Sequence, residues 1–212
     1  VFWPGYIRKF AKSSGTTNAK SKFIPISEES LEDCHFKAGK DLLSIYANNH
    51  PENSLFANKN LRLGGSSELY EDFNTKFGDL SAIMIENLPF WVEITTTPSK
   101  KVSLMSEWES KLKAIVSEVK NEDVGSMTGV PSWMMVLLQR TLADTGKETI
   151  AQIWPNLEVF FHGGISFKPY RDQYRKIIGK DINYYEIYNA SEGFFAIQDQ
   201  PGSDEMLLML DY

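Results

Sequence analysis

The 212-residue sequence contains one cysteine, Cys34, so no internal disulfide can form. Such a chain suits a reducing compartment, and a cytoplasmic location is expected. Cys34 sits beside His35 in a predicted helix and reads as a small, partly buried residue, because adjacent helical residues point in different directions. The three histidines, His35, His50 and His162, have no motif partners at ligand spacing. A Ser-His-Asp set and a Cys/His metal centre therefore find no support. Positive charge is short as well: the formal net charge is −6, which argues against a nucleic-acid-binding face. No apolar run is long enough to cross a bilayer, and no secretory pattern follows Val1. Internal repeats, low-complexity tracts and a clear interdomain linker are missing too.

What is present is a globular composition, with 42% hydrophobic and 24% charged residues, and a length that suits one large domain. Lys12-Ser13-Ser14-Gly15-Thr16-Thr17-Asn18-Ala19-Lys20-Ser21-Lys22 places hydroxyls and a glycine between lysines. Such a loop offers hydroxyl and N–H donors to an oxyanion, although a Walker loop would need GxxxxGK[ST] ahead of a helix. Phe23, Ile24 and Ile26 after it read as a strand, giving strand–loop–strand. On these residues alone an ordinary polar turn is the competing reading.

Downstream, Ser27 reads as the N-cap of an amphipathic helix carrying Leu31, Ala38, Leu42 and Ile45 and ending near Pro51. Leu61 to Leu63 reads as a short strand before a Gly64-Gly65-Ser66-Ser67 turn, a tight connection with ligand contact as the lesser alternative. Residues 79–97 are expected to form a buried helix interrupted at Pro89, with a strand possible at its end. Residues 106–119 form a clearer helix. Gly129-Val130-Pro131 opens an apolar helix through Met134, with Pro131 in its first turn. Residues 157–161 read as a buried strand running into His162-Gly163-Gly164, and residues 169–178 as a helix. Tyr184 to Tyr188 reads as a strand ending in Asn189-Ala190-Ser191-Glu192, followed by a further strand at 194–197. This alternation predicts an α/β fold with a mainly parallel sheet flanked by helices and ligand loops at its carboxyl edge.

Three polar loops beside strands, at Ser13 to Thr17, His162 to Ser166 and Tyr188 to Glu192, describe a nucleotide site in parts. Glu192 can offer one oxygen ligand to a magnesium ion that arrives with phosphates, and Tyr188 can lie against a purine. In that order, and with Gly-Val-Pro between them, these motifs resemble the large domain of the adenylate-forming acyl and aryl ligases. More narrowly, Lys12 to Thr17, Phe160 to Ser166 and Tyr188 to Phe195 resemble the auxin-responsive acyl-acid amido synthetases, in their bacterial branch.

The resemblance implies that Ser13, Ser14, Gly15, Thr16 and Thr17 hold the β- and γ-phosphates of ATP. Gly163 and Gly164, with Ile165 and Ser166, match the adenine-side loop. Tyr188 matches the adenine-stacking aromatic, Ser191 the hydroxyl near the α-phosphate, and Glu192 the Mg2+ ligand. Val130, Pro131 and Met134 match the stretch flanking the acyl pocket, and His162 is a candidate contact at its acyl end. The implied activity is ATP-dependent activation of a small carboxylic acid followed by transfer to an amino acid, with no protein nucleophile. An acyl-CoA or aryl-CoA ligase, or a nucleotide-binding fragment without turnover, would share the same loops. Either Lys20 or Lys22 takes the place of the superfamily's loop lysine. Residues 1–212 thus read as a large adenylation domain incomplete at both ends, with the small carboxy-terminal domain absent.

Overall fold

The computed structural model describes residues 5–13, 22–65 and 69–211. Two short strands, β1 (Lys9–Ser13) and β2 (Lys22–Pro25), pair antiparallel with Ser13 opposite Lys22. The expected strand–loop–strand unit is therefore flanked as the Phe-Ile composition suggested. Ser27 Oγ accepts the Ser30 N–H at 3.1 Å, and a π-helical stretch, Ser30–Phe36, runs into α1 (Lys37–Asn49). β3 (Lys59–Leu63) follows, then a hairpin of β4 (Tyr70–Asp72) and β5 (Thr75–Gly78).

That hairpin had no sequence signal. Its turn residues, Phe73 and Asn74, both take positive φ (45° and 64°), as a tight hairpin turn demands, but without the Asn-Gly or Asp-Gly pair that usually announces one. β5 also pairs parallel with β1, which gives a four-stranded sheet in the order β2-β1-β5-β4.

Helices α2 (Leu80–Glu86) and α3 (Phe90–Thr95) are separated at Pro89, as expected, and α3 passes into the two-residue strand β6 (Thr96–Thr97). The expected burial holds only for α2. No residue of α3 is buried, and Phe90 is 77% exposed. β6 is the edge strand of its sheet, so the short helix feeding it lies at the rim of the core.

The remaining elements are α4 (Lys100–Ser103), α5 (Trp108–Val119), β7 (Val124–Gly129), α6 (Pro131–Thr145), a 3-10 turn (Ile150–Gln152), β8 (Val159–Gly163), α7 (Arg171–Ile178), β9 (Asn183–Ala190), β10 (Gly193–Ile197) and β11 (Leu207–Leu208). Strands order as β11-β10-β9-β8-β7-β3-β6 in a second sheet. β6, β3, β7, β8 and β9 run parallel, and β10 and β11 add antiparallel strands at one edge. The mainly parallel α/β architecture is thus present.

Strand alternation sends β8 side chains to two cores. Phe160 joins Leu61, Leu63 and Met127 under α5, α6 and α7, where Ile115, Leu137 and Tyr174 are fully buried. Phe161 and Val159 face α1, through Ala38, Leu42 and Tyr46. Each large side chain buried this way contributes about 1.5–3 kcal/mol. A third cluster, including Ala11, Ile26, Leu31 and Ile83, lies between the small sheet, the π-helical stretch and α2.

Candidate functional site

Because β3, β7, β8 and β9 are parallel, their carboxyl ends share one edge, with Leu63 opposite Gly129 and Gly163 opposite Ile187. The loops leaving that edge, together with the ends of β1 and β2 and the face of α2, enclose a cleft of about 1070 Å3. Ligands in open α/β sheets bind at such an edge.

One side of the cleft carries the motif residues. Gly163, Gly164, Ser191 and Glu192 line it, and Lys12, Ser13 and Lys22 approach from the small sheet. Ser14, Gly15, Thr16, Thr17 and Lys20 lie outside the described residues. The glycines have distinct causes. A Cβ on Gly163 would stand 2.3 Å from the Ile187 carbonyl oxygen, so close strand approach excludes any side chain there. Gly164 has φ +83°, the left-handed region that favours glycine. Glu192 is exposed on the rim and Ser191 is half-buried.

The opposite wall is largely apolar, with Met84, Ile85, Leu88, Val130 and Trp133. The Gly64-Gly65 turn, for which a tight connection is the leading reading from sequence and ligand contact the alternative, also borders the cleft. Gly65 N–H donates to Ser81 Oγ at 3.2 Å, while its carbonyl accepts from Lys111 Nζ at 3.3 Å. Burial lowers the Lys111 pKa against the opposing pull of Asp79. Trp133 packs beside Gly65, since a Cβ there would lie 3.0 Å from its ring. Ser66 and Ser67 lie outside the described residues.

Other expected site residues fall elsewhere. Pro131 is buried, with its carbonyl accepting from Tyr174 Oη at 2.8 Å, and Met134 is fully buried beneath Gly129. Only Val130 of that trio borders the cleft. His162, one residue before Gly163, points to the opposite sheet face, as alternation requires. It stacks on Phe167 at 4.2 Å and, with Ser166, lines a separate cavity of about 210 Å3. Burial, then Arg171, push its pKa down to about 4. Tyr188 is 57% exposed and leans on Phe195 at 5.2 Å, and Ile165 is also exposed.

Sequence reasoning passed over Arg62, Met84, Leu88 and Trp133. For Arg62 a signal existed, since Leu-Arg-Leu in a strand puts the charge on the face opposite the two leucines. For Trp133 it was weaker, because the helix-face pattern pointed to Met134 and Leu137.

Among the described residues no three His, Cys, Asp or Glu side chains gather as a metal cage. Glu192 alone, a hard oxygen donor on the cleft rim, fits a cation that brings phosphate and water ligands with it.

Residues 1–182 match the GH3 family N-terminal domain. The chain belongs to the GH3 family. Comparison with curated proteins returns no match. Among solved structures, this GH3 chain is similar to AtGH3.15 acyl acid amido synthetase in complex with 2,4-DB (TM-score 0.70, 13% identity, covering 92% of this chain and 43% of that one). It is also similar to a second GH3.15 acyl acid amido synthetase structure (TM-score 0.66, 11% identity, 92% and 42%). A third is an open conformation of 2-hydroxyisobutyryl-CoA ligase in complex with 2-HIB-AMP and CoA (TM-score 0.51, 13% identity, 94% and 40%). The GH3 chain therefore has the α/β fold of adenylate-forming enzyme domains, and it spans less than half the length of each of these structures.

Proposed function

We propose that the chain is the large adenylation-domain portion of an ATP-dependent acyl-acid amido synthetase. The observation that carries this is the convergence of Ser13, Gly163, Gly164, Ser191 and Glu192 on one cleft whose other wall is apolar. In the first step a carboxylate oxygen attacks the α-phosphorus of ATP, the bond to the bridging oxygen breaks, and pyrophosphate leaves. In the second, an amino acid nitrogen attacks the acyl carbonyl, the acyl–oxygen bond breaks, AMP leaves, and the nitrogen gives up its proton.

Neither step needs a protein nucleophile. Two anions must be aligned and phosphate charge stabilised, which preorganised hydroxyls, N–H groups and cations do. Ser13 with Ser14, Gly15, Thr16 and Thr17 would grip the outer phosphates, and Lys20 or Lys22 would assist, Lys22 at the start of β2 bordering the cleft. Ser191 would meet the α-phosphate. Tyr188 and the Gly163-Gly164 turn, with Ile165 exposed beside it, would flank the adenine. Glu192 would hold magnesium, which when bound offsets phosphate charge. Val130, Trp133, Met84 and Leu88 would form the acid's pocket.

The test is calorimetric titration of the full-length protein with ATP, with and without magnesium, paired with acid-driven exchange of pyrophosphate into ATP. Magnesium-dependent binding and exchange are expected. Binding without exchange for any acid would make the protein a nucleotide binder, and a thioester product in place of an amide would make it a CoA ligase.

A further inference from the structure

Arg62 is a charge in an unusual place. Leu61 and Leu63 on either side of it are buried in the core beneath α5 and α6, so Arg62 projects from the other face of β3, where it borders the cleft. It stands opposite Thr128 of β7. The wall it shares is apolar, with Met84, Ile85 and Leu88. Its Nε is shielded from solvent and has no hydrogen-bond partner among the described residues. Burial lowers its pKa to about 10, with Glu93 pulling the other way, so the guanidinium stays charged at neutral pH. Asp79 on the same side of the cleft acts on Lys111. A half-buried cation with a shielded Nε and no ion pair among the described residues is costly, and a guanidinium satisfies that need best with a carboxylate held by paired N–H donors.

Position decides which carboxylate. Strands β9, β8, β7 and β3 are successive neighbours, so three spacings of about 4.8 Å separate β3 from the strand that ends in Ser191 and Glu192, about 14 Å in all. The carboxylate that attacks phosphorus must sit on the Ser191 side.

We infer that Arg62 anchors a second anionic group of the acid substrate, so that the pocket selects dicarboxylic acids whose two ends are joined by an apolar spacer. The inference rests on the cleft being the acid and nucleotide site proposed above. In this arrangement one carboxylate is presented to the α-phosphorus, the spacer lies along Val130, Trp133 and Met84, and the far carboxylate meets Arg62. Arg62 is a specificity residue here, not a catalytic one.

Calorimetric titration of the full-length protein with succinate, adipate and suberate, against butyrate, hexanoate and octanoate, tests this at fixed ionic strength. The diacid of best length should bind about tenfold or more tighter than the monoacid of equal carbon number. Arg62→Met should collapse that ratio to about one, and Arg62→Lys should keep part of it. Equal binding of diacid and monoacid by the wild-type protein, no binding of either class, or a ratio that survives in Arg62→Met would overturn the inference. The wild-type ratio needs no variant to fold. Parallel ATP titrations separate the two claims. ATP binding without diacid preference sinks only the role of Arg62, whereas diacid preference without ATP binding sinks the nucleotide reading.

Discussion

Gly163→Ala puts a methyl group where the backbone of the next strand already is. The new Cβ would lie 2.3 Å from the Ile187 carbonyl oxygen, where real side chains keep at least 3.0 Å. The obstacle is backbone inside the parallel β8–β9 ladder, with Gly163 directly opposite Ile187, so no rotamer change relieves it. The two central strands must part locally. Overpacking of a well-filled interior costs about 1–3 kcal/mol, and a fixed carbonyl as the clashing group puts this case at the upper end, about 3 kcal/mol. For a chain of this size each kcal/mol moves the melting temperature by about 2–4 °C, so a fall of about 6–12 °C is expected. Gly164→Ala is the control. Its Cβ would stand 3.4 Å from Val130 Cγ2, an ordinary contact, and only the left-handed backbone, about 1–2 kcal/mol, counts against it. Scanning calorimetry and urea titration measure both. If Gly163→Ala stayed within about 0.5 kcal/mol of wild type while losing ATP affinity, strand packing would be the wrong reason for this glycine and ligand approach the right one.

Three further outcomes follow from the site. Glu192→Gln, which removes one charge at constant shape, should weaken magnesium-dependent ATP binding without lowering the melting temperature, and unchanged magnesium dependence in titration would refute the assignment. Trp133→Ala should cost about 1–2 kcal/mol of acid affinity, a five- to thirtyfold rise in Kd; an unaltered Kd would remove Trp133 from the acid wall. His162 has its folded pKa depressed to about 4 from the usual 6.5, so the unfolded chain takes up the proton first. Its contribution is complete above pH 6.5 and declines towards pH 4, by about 2 kcal/mol at pH 5 on a slope of about 1.4 kcal/mol per pH unit. His162→Phe, which suits the ring cluster of Phe160 and Phe167, should flatten that decline in urea denaturation. His35, lowered in the same direction by burial, leaves a residual slope. Equal pH dependence in both proteins would show that His162 does not titrate in this window.

Much of the fold was legible because strands and helices announce themselves through periodicity and end residues. Ser27, Pro131 and the valine, phenylalanine and tyrosine runs of β8 and β9 all fell where local chemistry placed them. What the motifs could not convey is which way a side chain turns. His162 and Gly163 are neighbours in one motif, yet strand alternation puts the imidazole in another cavity. Pro131 and Met134 carry the resemblance, but the helix turns Trp133 towards the cleft and Met134 into the core. The small sheet was half visible: β1 and β2 could be read, whereas β4 and β5 are short, polar and joined by a turn without the usual glycine. Arg62 went unnoticed because no motif contains it, and only the sheet order shows how far it stands from Glu192.

The cleft draws Lys12, Ser13 and Lys22 from a four-stranded sheet and Gly163, Ser191 and Glu192 from a seven-stranded one. The larger sheet has a buried cluster on each face and the smaller sheet has one, and α2 faces both that smaller cluster, through Leu80 and Ile83, and the cleft, through Met84 and Ile85. A nucleotide gripped from both sides would then couple the small-sheet cluster mechanically to the larger sheet. By linkage, it stabilises whichever arrangement keeps both sheets in place, and it draws local openings of the smaller core towards the global transition. Amide hydrogen exchange in β1 and β5 should therefore slow on ligand binding more than exchange in β7 and β8, although β1, β7 and β8 all line the same cleft.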